Sequence, residues 1–284
     1  MNILTLLSPL VFLAAVGVPA QDDEMPDGDK LVQVSVVADR EAVKPGGTAT
    51  LAVRYAIEPK WHVYWENPGD SGMSTRAKFT APEGWKVAAP RFPTPMRHDV
   101  EGDITTFIFE NELVLLADVT VPADAKPGTQ VRIEVEGSWL VCTDVCVPGS
   151  GKASVEIAVA DTEKPANDAL FAAARAKLPK PWSELAKARV SWTGTEAEPR
   201  LTLIVSGAKE LDYFPLDVEP VELVSRSIDI GKNGGTLRAG FAFERKETTD
   251  VPRIRGVLRV RTDLGETAYL LDHTYTPPSA GSEK

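Results

Sequence analysis

Residues 129–149 read TQVRIEVEGSWLVCTDVCVPG, and this stretch combines a strand pattern with both cysteines of the chain. Apolar side chains recur at alternate positions across residues 131–141, which is the period of a β-strand with one buried face. Cys142 and Cys146 follow, and a Pro-Gly pair then supplies residues that favour turns. The stretch therefore predicts a long strand that ends in a turn bearing a cysteine pair.

A disulfide between two cysteines at this spacing would add little stability to the fold. In a fully extended strand Cys142 and Cys146 would lie roughly 13 Å apart, whereas a disulfide needs its Cα atoms within about 7 Å. The chain must therefore bend at Thr143 and Asp144 if the bond forms. A ring this small stabilises a fold by only about 2 kcal/mol, against about 4 to 5 kcal/mol for a very long loop. The spacing favours a redox role over a structural one.

Reversible exchange between dithiol and disulfide is the chemistry that such a pair can perform. A thiolate attacks a disulfide of a partner, a mixed disulfide forms, and the second cysteine resolves it. Neither Lys nor Arg lies beside Cys142 or Cys146, and Asp144 between them should raise a thiol pKa. We therefore expect thiols that are mostly protonated and react slowly in the absence of a partner protein.

Alternating segments recur along the whole chain, separated by clusters of Pro, Gly and Asp. Strands are predicted at residues 31–38, 48–57, 112–121, 129–141 and 153–160, and again at residues 188–193, 201–206, 221–228, 236–243, 254–261 and 266–273. The first group has no helical pattern between its strands, which argues against a βαβ architecture. The predicted fold is all-β, an immunoglobulin-like β-sandwich followed by a second β-sandwich-like domain.

One segment between the two strand groups favours a helix. Residues 167–178 are rich in Ala and Leu, begin with a capping Asn or Asp, and stop before Pro179 and Pro181. This short helix is expected to join a first domain at residues 30–160 to a second at residues 187–275, within a linker at 161–186. The length suffices for two separate cores.

The two ends of the chain are expected to lie outside the folded domains. Residues 1–20 have an apolar core and end in small residues, which predicts a cleaved secretory signal and a periplasmic or otherwise exported protein. An uncleaved tether is the alternative. Residues 276–284 are expected to be disordered. No later apolar run is long enough to span a bilayer, so we expect no stable membrane insertion after signal cleavage.

The negative net charge of the chain argues against some classes of binding partner. The formal net charge is −10, and the chain shows no basic stripe. Nucleic acid and anionic membrane surfaces are therefore not expected to bind. A metal site would need a further ligand besides the thiols. His62, His98 and His273 are the histidines of the chain, and their spacing does not favour a site, so we expect neither a metal nor a cofactor.

Residues 61–72, WHVYWENPGDSG, place three aromatic side chains on or near a strand that ends in a tight loop. The pattern favours a core role for Trp61 and Trp65, with Tyr64 on the opposite face. The GDSG tetrapeptide also occurs around the nucleophile of chymotrypsin-like proteases. Those enzymes place a His far upstream, with an Asp in between, whereas His62 precedes Ser71 by nine residues. A protease is rejected.

Residues 90–103, PRFPTPMRHDVEGD, are Pro-rich and then acidic, and are predicted to form a loop between strands. Loops of this length in compact domains are often functional. We expect either a lid over another site or a solvated connection.

Several motifs, taken in order, resemble the amino-terminal periplasmic domain of the DsbD family of thiol-disulfide reductases, and especially the branch that includes the ScsB proteins. The resemblance spans about residues 30–160, and landmarks at residues 181–182 and 213–215 extend it weakly. It is carried by WENPGDSG at 65–72, PEGW at 82–85, Phe109-Glu110 and WLVCTDVCVPG at 139–149.

This resemblance implies an immunoglobulin-like domain whose cysteine pair, here Cys142 and Cys146, performs thiol:disulfide interchange. It also implies a cap loop that shields the active site, which by position falls within residues 95–107. The candidate shielding residues are His98, Glu101, Asp103, Phe107 and Phe109, and the candidate supporting residues are Tyr64, Trp139 and Pro148. Shortening this loop should then make the thiols react faster.

The resemblance further implies partners. Family members usually continue into a membrane domain and a thioredoxin-like domain, each with its own cysteine pair, whereas this sequence contains two cysteines in all. We therefore expect a transmembrane thiol-disulfide reductase or a thioredoxin-like protein as electron donor. The expected recipient is an oxidised periplasmic client, such as a disulfide isomerase or a cytochrome c maturation factor. The alternatives are a non-enzymatic immunoglobulin-like binding module with a structural disulfide, and a copper- or zinc-binding protein.

Overall fold

The computed structural model describes residues 26–185, 188–195, 199–216, 221–230, 236–245, 253–274 and 276. Within these ranges most of the chain lies in strands. Helix α1 (Gly28–Leu31) opens the described chain, helix α2 (Asp168–Ala176) divides the two strand groups, and a 3₁₀ turn covers Trp182–Glu184. The predicted signal at 1–20 lies outside the described residues, as does the predicted tail apart from Thr276.

The strands of the first group are β1 (Val32–Ala38), β2 (Arg40–Val43), β3 (Thr48–Ile57), β4 (His62–Gly69), β5 (Arg76–Thr80), β6 (Lys86–Val87), β7 (Met96–Val100), β8 (Ile104–Glu110), β9 (Glu112–Thr120), β10 (Gln130–Cys142), β11 (Cys146–Val159) and β12 (Lys164–Pro165). Those of the second group are β13 (Lys180–Pro181), β14 (Ala188–Gly194), β15 (Pro199–Ser206), β16 (Glu210–Pro215), β17 (Val221–Ile230), β18 (Thr236–Arg245), β19 (Arg253–Thr262) and β20 (Gly265–Thr274).

The first strand group forms a two-sheet sandwich. One sheet has the order β1-β3-β9-β6, and the other has the order β12-β2-β11-β10-β4-β8-β7, with β5 paired to β10. Alternate residues of both sheets meet in a shared core that includes Leu51, Val53, Leu115, Trp139 and Ile157, each less than 2% exposed. The alternation in the sequence has its physical cause here, because one face of each strand is buried in this core.

The second strand group forms two further sheets, β13-β20-β19-β16 and β14-β15-β18-β17. Leu201 and Leu203 from one sheet pack with Tyr213, Leu258 and Leu271 from the other. The all-β prediction, with a sandwich followed by a second sandwich-like unit and a short helix between them, is confirmed.

Helix α2 matches its prediction closely. Asn167 is its N-cap, and the helix ends at Ala176, ahead of Pro179. Phe171 and Ala174 face the sandwich and pack against Ala52 and Leu116 of β3 and β9. The apolar face of α2 therefore anchors this connecting helix to the first sandwich.

Buried side chains on the two faces of the sheet formed by β16, β19 and β20 enter different cores. Tyr213 and Leu258 point into the second core, while their neighbours Phe214 and Val257 belong to the core of the first sandwich. The side chain of Asn67 also donates to the carbonyl oxygen of Pro215 at 2.8 Å. The domain bounds drawn from the sequence stay a prediction, and the two strand groups share a packed apolar junction.

Within the ranges that the structure describes, no helix is both long enough and apolar enough to cross a membrane.

Candidate active site

The two cysteines form a disulfide at the end of a long β-hairpin. Strands β10 and β11 pair antiparallel, and Cys142 and Cys146 are the last partners before the turn. Their Cα atoms lie 4.2 Å apart, since the chain reverses over residues 143–145 as the sequence geometry required. The Thr143 N–H donates to the carbonyl oxygen of Val145 and closes this turn.

The two sulfur atoms have different environments. Cys142 is 1% exposed, because it lies on β10 and packs with Tyr64 and Ile108 of the neighbouring strands. Cys146 is exposed at the start of β11. An attacking thiolate from outside can therefore approach Cys146 much more readily than Cys142.

Tyr64 connects the disulfide to strand β4. Its side chain is 5% exposed, and its hydroxyl lies 3.2 Å from Cys142 Sγ and 4.0 Å from Cys146 Sγ. Burial raises the pKa of this phenol, so the group stays protonated as a donor. A thiolate formed at Cys142 would accept this hydrogen bond.

The GDSG tetrapeptide supports Tyr64 from outside. Gly72 has φ +99°, and a Cβ atom there would come within 2.3 Å of the Tyr64 ring. Gly69 likewise approaches strand β8, where a Cβ atom would lie 2.4 Å from the Thr105 carbonyl oxygen. Asp70 accepts from the Thr105 N–H at 2.8 Å. The motif therefore has a structural role, because it lets the loop after β4 pack closely against Tyr64 and β8.

Two histidines extend the site. His62 is the direct cross-strand partner of Cys142, and its ring lies 5.4 Å from that of Tyr64 and 5.4 Å from that of His98. His62 is 9% exposed. Burial first, and then the neighbouring His98, lower the pKa of His62, while Glu110 opposes them. The imidazole beside Cys142 therefore favours its neutral form.

The predicted lid is a β-hairpin. Residues 96–100, predicted as part of a loop, form strand β7, which pairs with β8. Glu101 and Asp103 lie exposed in the turn between them, where Gly102 and Asp103 have positive φ. His98 is the candidate lid residue that contacts the site, and it does so through His62.

The two phenylalanines proposed as shields require a correction. Phe107 and Phe109 alternate with Ile108 on β8, and it is Ile108 that faces Tyr64 and Cys142. Both phenylalanines lie in the core, where the Phe107 ring contacts those of Trp65 and Phe214 at 6.0 and 5.2 Å. They cannot cover the disulfide, because their side chains point to the opposite face of the sheet.

Trp139 and Pro148 support the hairpin without contacting the sulfur atoms. Trp139 is fully buried and packs edge-on against Tyr55. Its indole nitrogen donates to the Gly28 carbonyl oxygen at 3.2 Å, and Gly149 across the ladder leaves room for the ring. Pro148 pairs with Leu140 in the same ladder. These residues hold β10 and β11 in the register that brings the cysteines together.

No group of three His, Cys, Asp or Glu side chains suited to a metal ion occurs among the residues that the structure describes. His273 is in the second sandwich, where its ring packs edge-on against that of Trp182. The site is thus made of Cys142, Cys146, Tyr64, His62 and His98. His62 was not among the predicted site residues, although its position two residues before Tyr64 on a strand places both on one face.

Comparison with known proteins agrees with this geometry. Residues 29–156, which contain the disulfide, Tyr64 and both site histidines, match the family model described as thiol:disulfide interchange protein DsbD, N-terminal. This segment resembles the N-terminal domain of DsbD. The resemblance drawn from the sequence motifs is therefore confirmed. The DsbD-like segment ends ahead of helix α2, so strands β13 to β20 lie beyond the match.

Solved structures extend the comparison. The N-terminal periplasmic domain of ScsB from Proteus mirabilis is 15% identical with a TM-score of 0.56, and the match covers 84% of this chain and 91% of that chain. At this identity the likeness concerns the fold, and it reaches past the DsbD-like segment. The reduced N-terminal domain of DsbD from Neisseria meningitidis is 17% identical with a TM-score of 0.28, covering 50% of this chain and 96% of that one. A comparison with curated proteins gives no match.

Proposed function

We propose that this protein exchanges thiols and disulfides with other proteins outside the cytoplasm, through Cys142 and Cys146. The observation that carries the proposal is the asymmetric disulfide, with Cys146 exposed and Cys142 buried under the hydroxyl of Tyr64. A bond with one accessible sulfur and one stabilised leaving group suits stepwise exchange. The match of residues 29–156 to a thiol:disulfide interchange family supports the same chemistry.

Reduction of the protein begins when a donor thiolate attacks Cys146 Sγ. The intramolecular S–S bond breaks, a mixed disulfide joins the donor to Cys146, and Cys142 leaves as a thiolate that accepts the Tyr64 hydrogen bond. The second thiolate of the donor then attacks its own mixed-disulfide sulfur and releases Cys146. Two electrons have passed from the donor, now oxidised, to the protein.

Transfer to a client follows the same path in reverse. The exposed Cys146 thiolate attacks a client disulfide and releases one client thiolate. Cys142 then attacks Cys146 Sγ, restores the disulfide of the protein and releases the second client thiolate. In this proposal the donor is a membrane thiol-disulfide reductase or a thioredoxin-like protein, and the client is an oxidised periplasmic protein such as a cytochrome c maturation factor.

The extracytoplasmic location is part of the proposal. Its supports are the apolar residues 1–20, the oxidised cysteine pair, and the fold shared with a periplasmic domain. We propose that residues 1–20 act as a secretory signal.

Trapping of mixed disulfides tests the proposed exchange. The Cys142→Ser variant retains the accessible Cys146 and lacks the resolving thiol. Its Cys146 thiolate should attack the disulfides of oxidised proteins in a periplasmic extract, release one client thiolate each time, and accumulate as mixed disulfides. The Cys146→Ser variant, whose remaining thiol is buried, should trap few. Equal trapping by the two variants, or none by Cys142→Ser, would contradict the proposed roles.

A further inference from the structure

Exposed apolar side chains are concentrated around the disulfide. In the described part of the chain seven large apolar side chains are exposed, and five of them lie in the cysteine turn, beside Gly72 or on the β7–β8 hairpin that pairs with β4. We define these five as the docking face: Met73, Met96, Val100, Ile104 and Val145, which are 37 to 44% exposed. Clustered exposed apolar surface of this kind marks interaction sites in soluble proteins.

Strand register places three of the five on the same sheet face as the disulfide. Cys142 pairs with His62 on β4, and Tyr64, two residues on, pairs with Ile108 of β8. Ile108 in turn pairs with Met96 of β7. Directly paired residues point to the same face of a sheet. Met96 therefore shares the face of Cys142.

The β7–β8 hairpin continues this face to its turn. Alternation along β7 keeps Val100 on the side of Met96, and Val100 pairs with Ile104. Val145 lies in the turn between the two cysteines, and Met73 lies between Gly72, which touches the Tyr64 ring, and Ser74, which bridges to Tyr64. Val145 and Met73 thus lie in segments that adjoin the site, while Met96, Val100 and Ile104 continue the Cys142 face along the β7–β8 hairpin.

The surroundings of this face are mainly acidic. Apart from Met96, the face is built from residues 61–75, 98–125 and 133–151, and none of these segments contains a Lys or an Arg. Arg97, next to Met96, pairs with Asp99. Glu101 and Asp103 lie in the hairpin turn, Asp144 lies between the cysteines, and Glu110 pairs with His62. Within the described ranges none of these four carboxylates forms a salt bridge. Their negative charge is therefore available to a partner.

We propose that the docking face selects thiol proteins whose surface is apolar at the reactive cysteine and carries Lys or Arg around it. The inference rests on the proposed exchange activity and names the class of partner that this activity serves. Apolar contact would hold the two reactive sulfurs in place, while opposite charges would steer the encounter and disfavour acidic partners.

Two synthetic dithiol peptides test the charge preference. Both carry Cys-x-x-Cys flanked by Leu, and they differ only in having Lys or Glu at the outer positions. Reduction of the oxidised protein is followed with each, and every rate is divided by that peptide's rate with uncharged 4,4′-dithiodipyridine, which removes differences in thiol reactivity. At low ionic strength the Lys peptide should react about tenfold faster than the Glu peptide, and the ratio should fall towards one at about 1 M salt.

Matched variants locate the effect. The double variant Glu101→Gln/Asp103→Asn should lower the Lys-to-Glu ratio at least threefold, whereas Glu83→Gln/Asp161→Asn, two exposed acids outside these segments, should leave it unchanged. Val100→Ser/Ile104→Ser should slow both peptides about threefold relative to dithiothreitol, and Leu264→Ser in the second sandwich should not. A ratio near one at low salt, or an unchanged ratio in the first variant, would overturn the proposed selection. Failure of dithiothreitol itself to reduce the disulfide would instead overturn the exchange activity.

Discussion

The hydroxyl of Tyr64 lies 3.2 Å from Cys142 Sγ, in hydrogen-bonding range of a sulfur atom that is 1% exposed. A buried thiolate without a partner is costly, and a hydrogen bond to the charged form lowers that cost. This contact therefore lowers the cost of forming a thiolate at Cys142 when the disulfide opens. It also links strand β4, which carries Tyr64, to the chemistry at the end of β10.

Replacing Tyr64 by Phe should raise the pKa of the Cys142 thiol. A hydrogen bond to a charged group contributes about 1.5 to 3 kcal/mol, so we expect a rise of about one to two units in a Cys146→Ser background. Thiolate absorbance near 240 nm measures it. Tyr269→Phe, in the second sandwich, is the control and should have no effect. An unchanged thiol pKa in Tyr64→Phe would show that the contact does not stabilise the thiolate.

Alkylation rates should separate the two cysteines. In the reduced state the thiol of Cys146 in Cys142→Ser should react with iodoacetamide at least about tenfold faster than the thiol of Cys142 in Cys146→Ser, because the first is exposed and the second is buried. Mass spectrometry of quenched samples gives both rates. Equal rates, or a faster Cys142, would mean that accessibility does not set the order of attack.

His62 should make folding stability depend on pH. Its folded pKa is lowered, chiefly by burial, so the unfolded chain binds more protons below the ordinary value near 6.5. Stability should therefore be full above that pH and fall as the pH decreases towards the folded pKa. Urea denaturation of wild type and His62→Gln between pH 7.5 and 5 measures the effect. The variant should lose less stability over this range, and an identical slope in both proteins would contradict the assignment.

Phe214 should join the two strand groups energetically. It is fully buried against Trp65 and Phe107, and the guanidinium of Arg259 lies over its ring. Removing a buried Phe side chain costs about 3 to 5 kcal/mol, so Phe214→Ala should lower the denaturation midpoint and separate the transitions of the two sandwiches. Leu264→Ala, at a side chain 99% exposed, is the control and should change stability by less than about 0.5 kcal/mol. A cost below about 1 kcal/mol for Phe214→Ala would mean that the junction is not coupled.

Local pattern was enough to predict much of this fold. Alternation placed β10 correctly before the cysteine pair, and capping and proline rules placed α2 between Asn167 and Pro179. Each of these features depends on neighbours within a few residues in sequence. The bend at residues 143–145 likewise followed from bond geometry alone. The strand predicted at residues 153–160 begins earlier, at Cys146, because Pro148 and Gly149 lie in the ladder opposite β10 rather than in a turn.

The misplaced lid residues show where local pattern fails. Phe107 and Phe109 became candidate shields because the family resemblance implies a cap loop at residues 95–107, but the register of β8 against β4 turns them into the core. Register is set by packing across the whole sheet. The contact of Phe214 with Trp65 likewise joins residues far apart in sequence, and no periodicity reports such a pair. His62 acquires its role only once β4 and β10 are paired.

The reduction potential of the purified protein tests the central claim most directly. Equilibration of the Cys142–Cys146 bond in graded glutathione or dithiothreitol buffers, with alkylation and mass spectrometry as the readout, gives the value. Exchange through this disulfide predicts a potential in the range of thiol-disulfide exchange proteins, between about −270 and −120 mV. A value well below about −300 mV would mark a structural disulfide and contradict the proposed exchange.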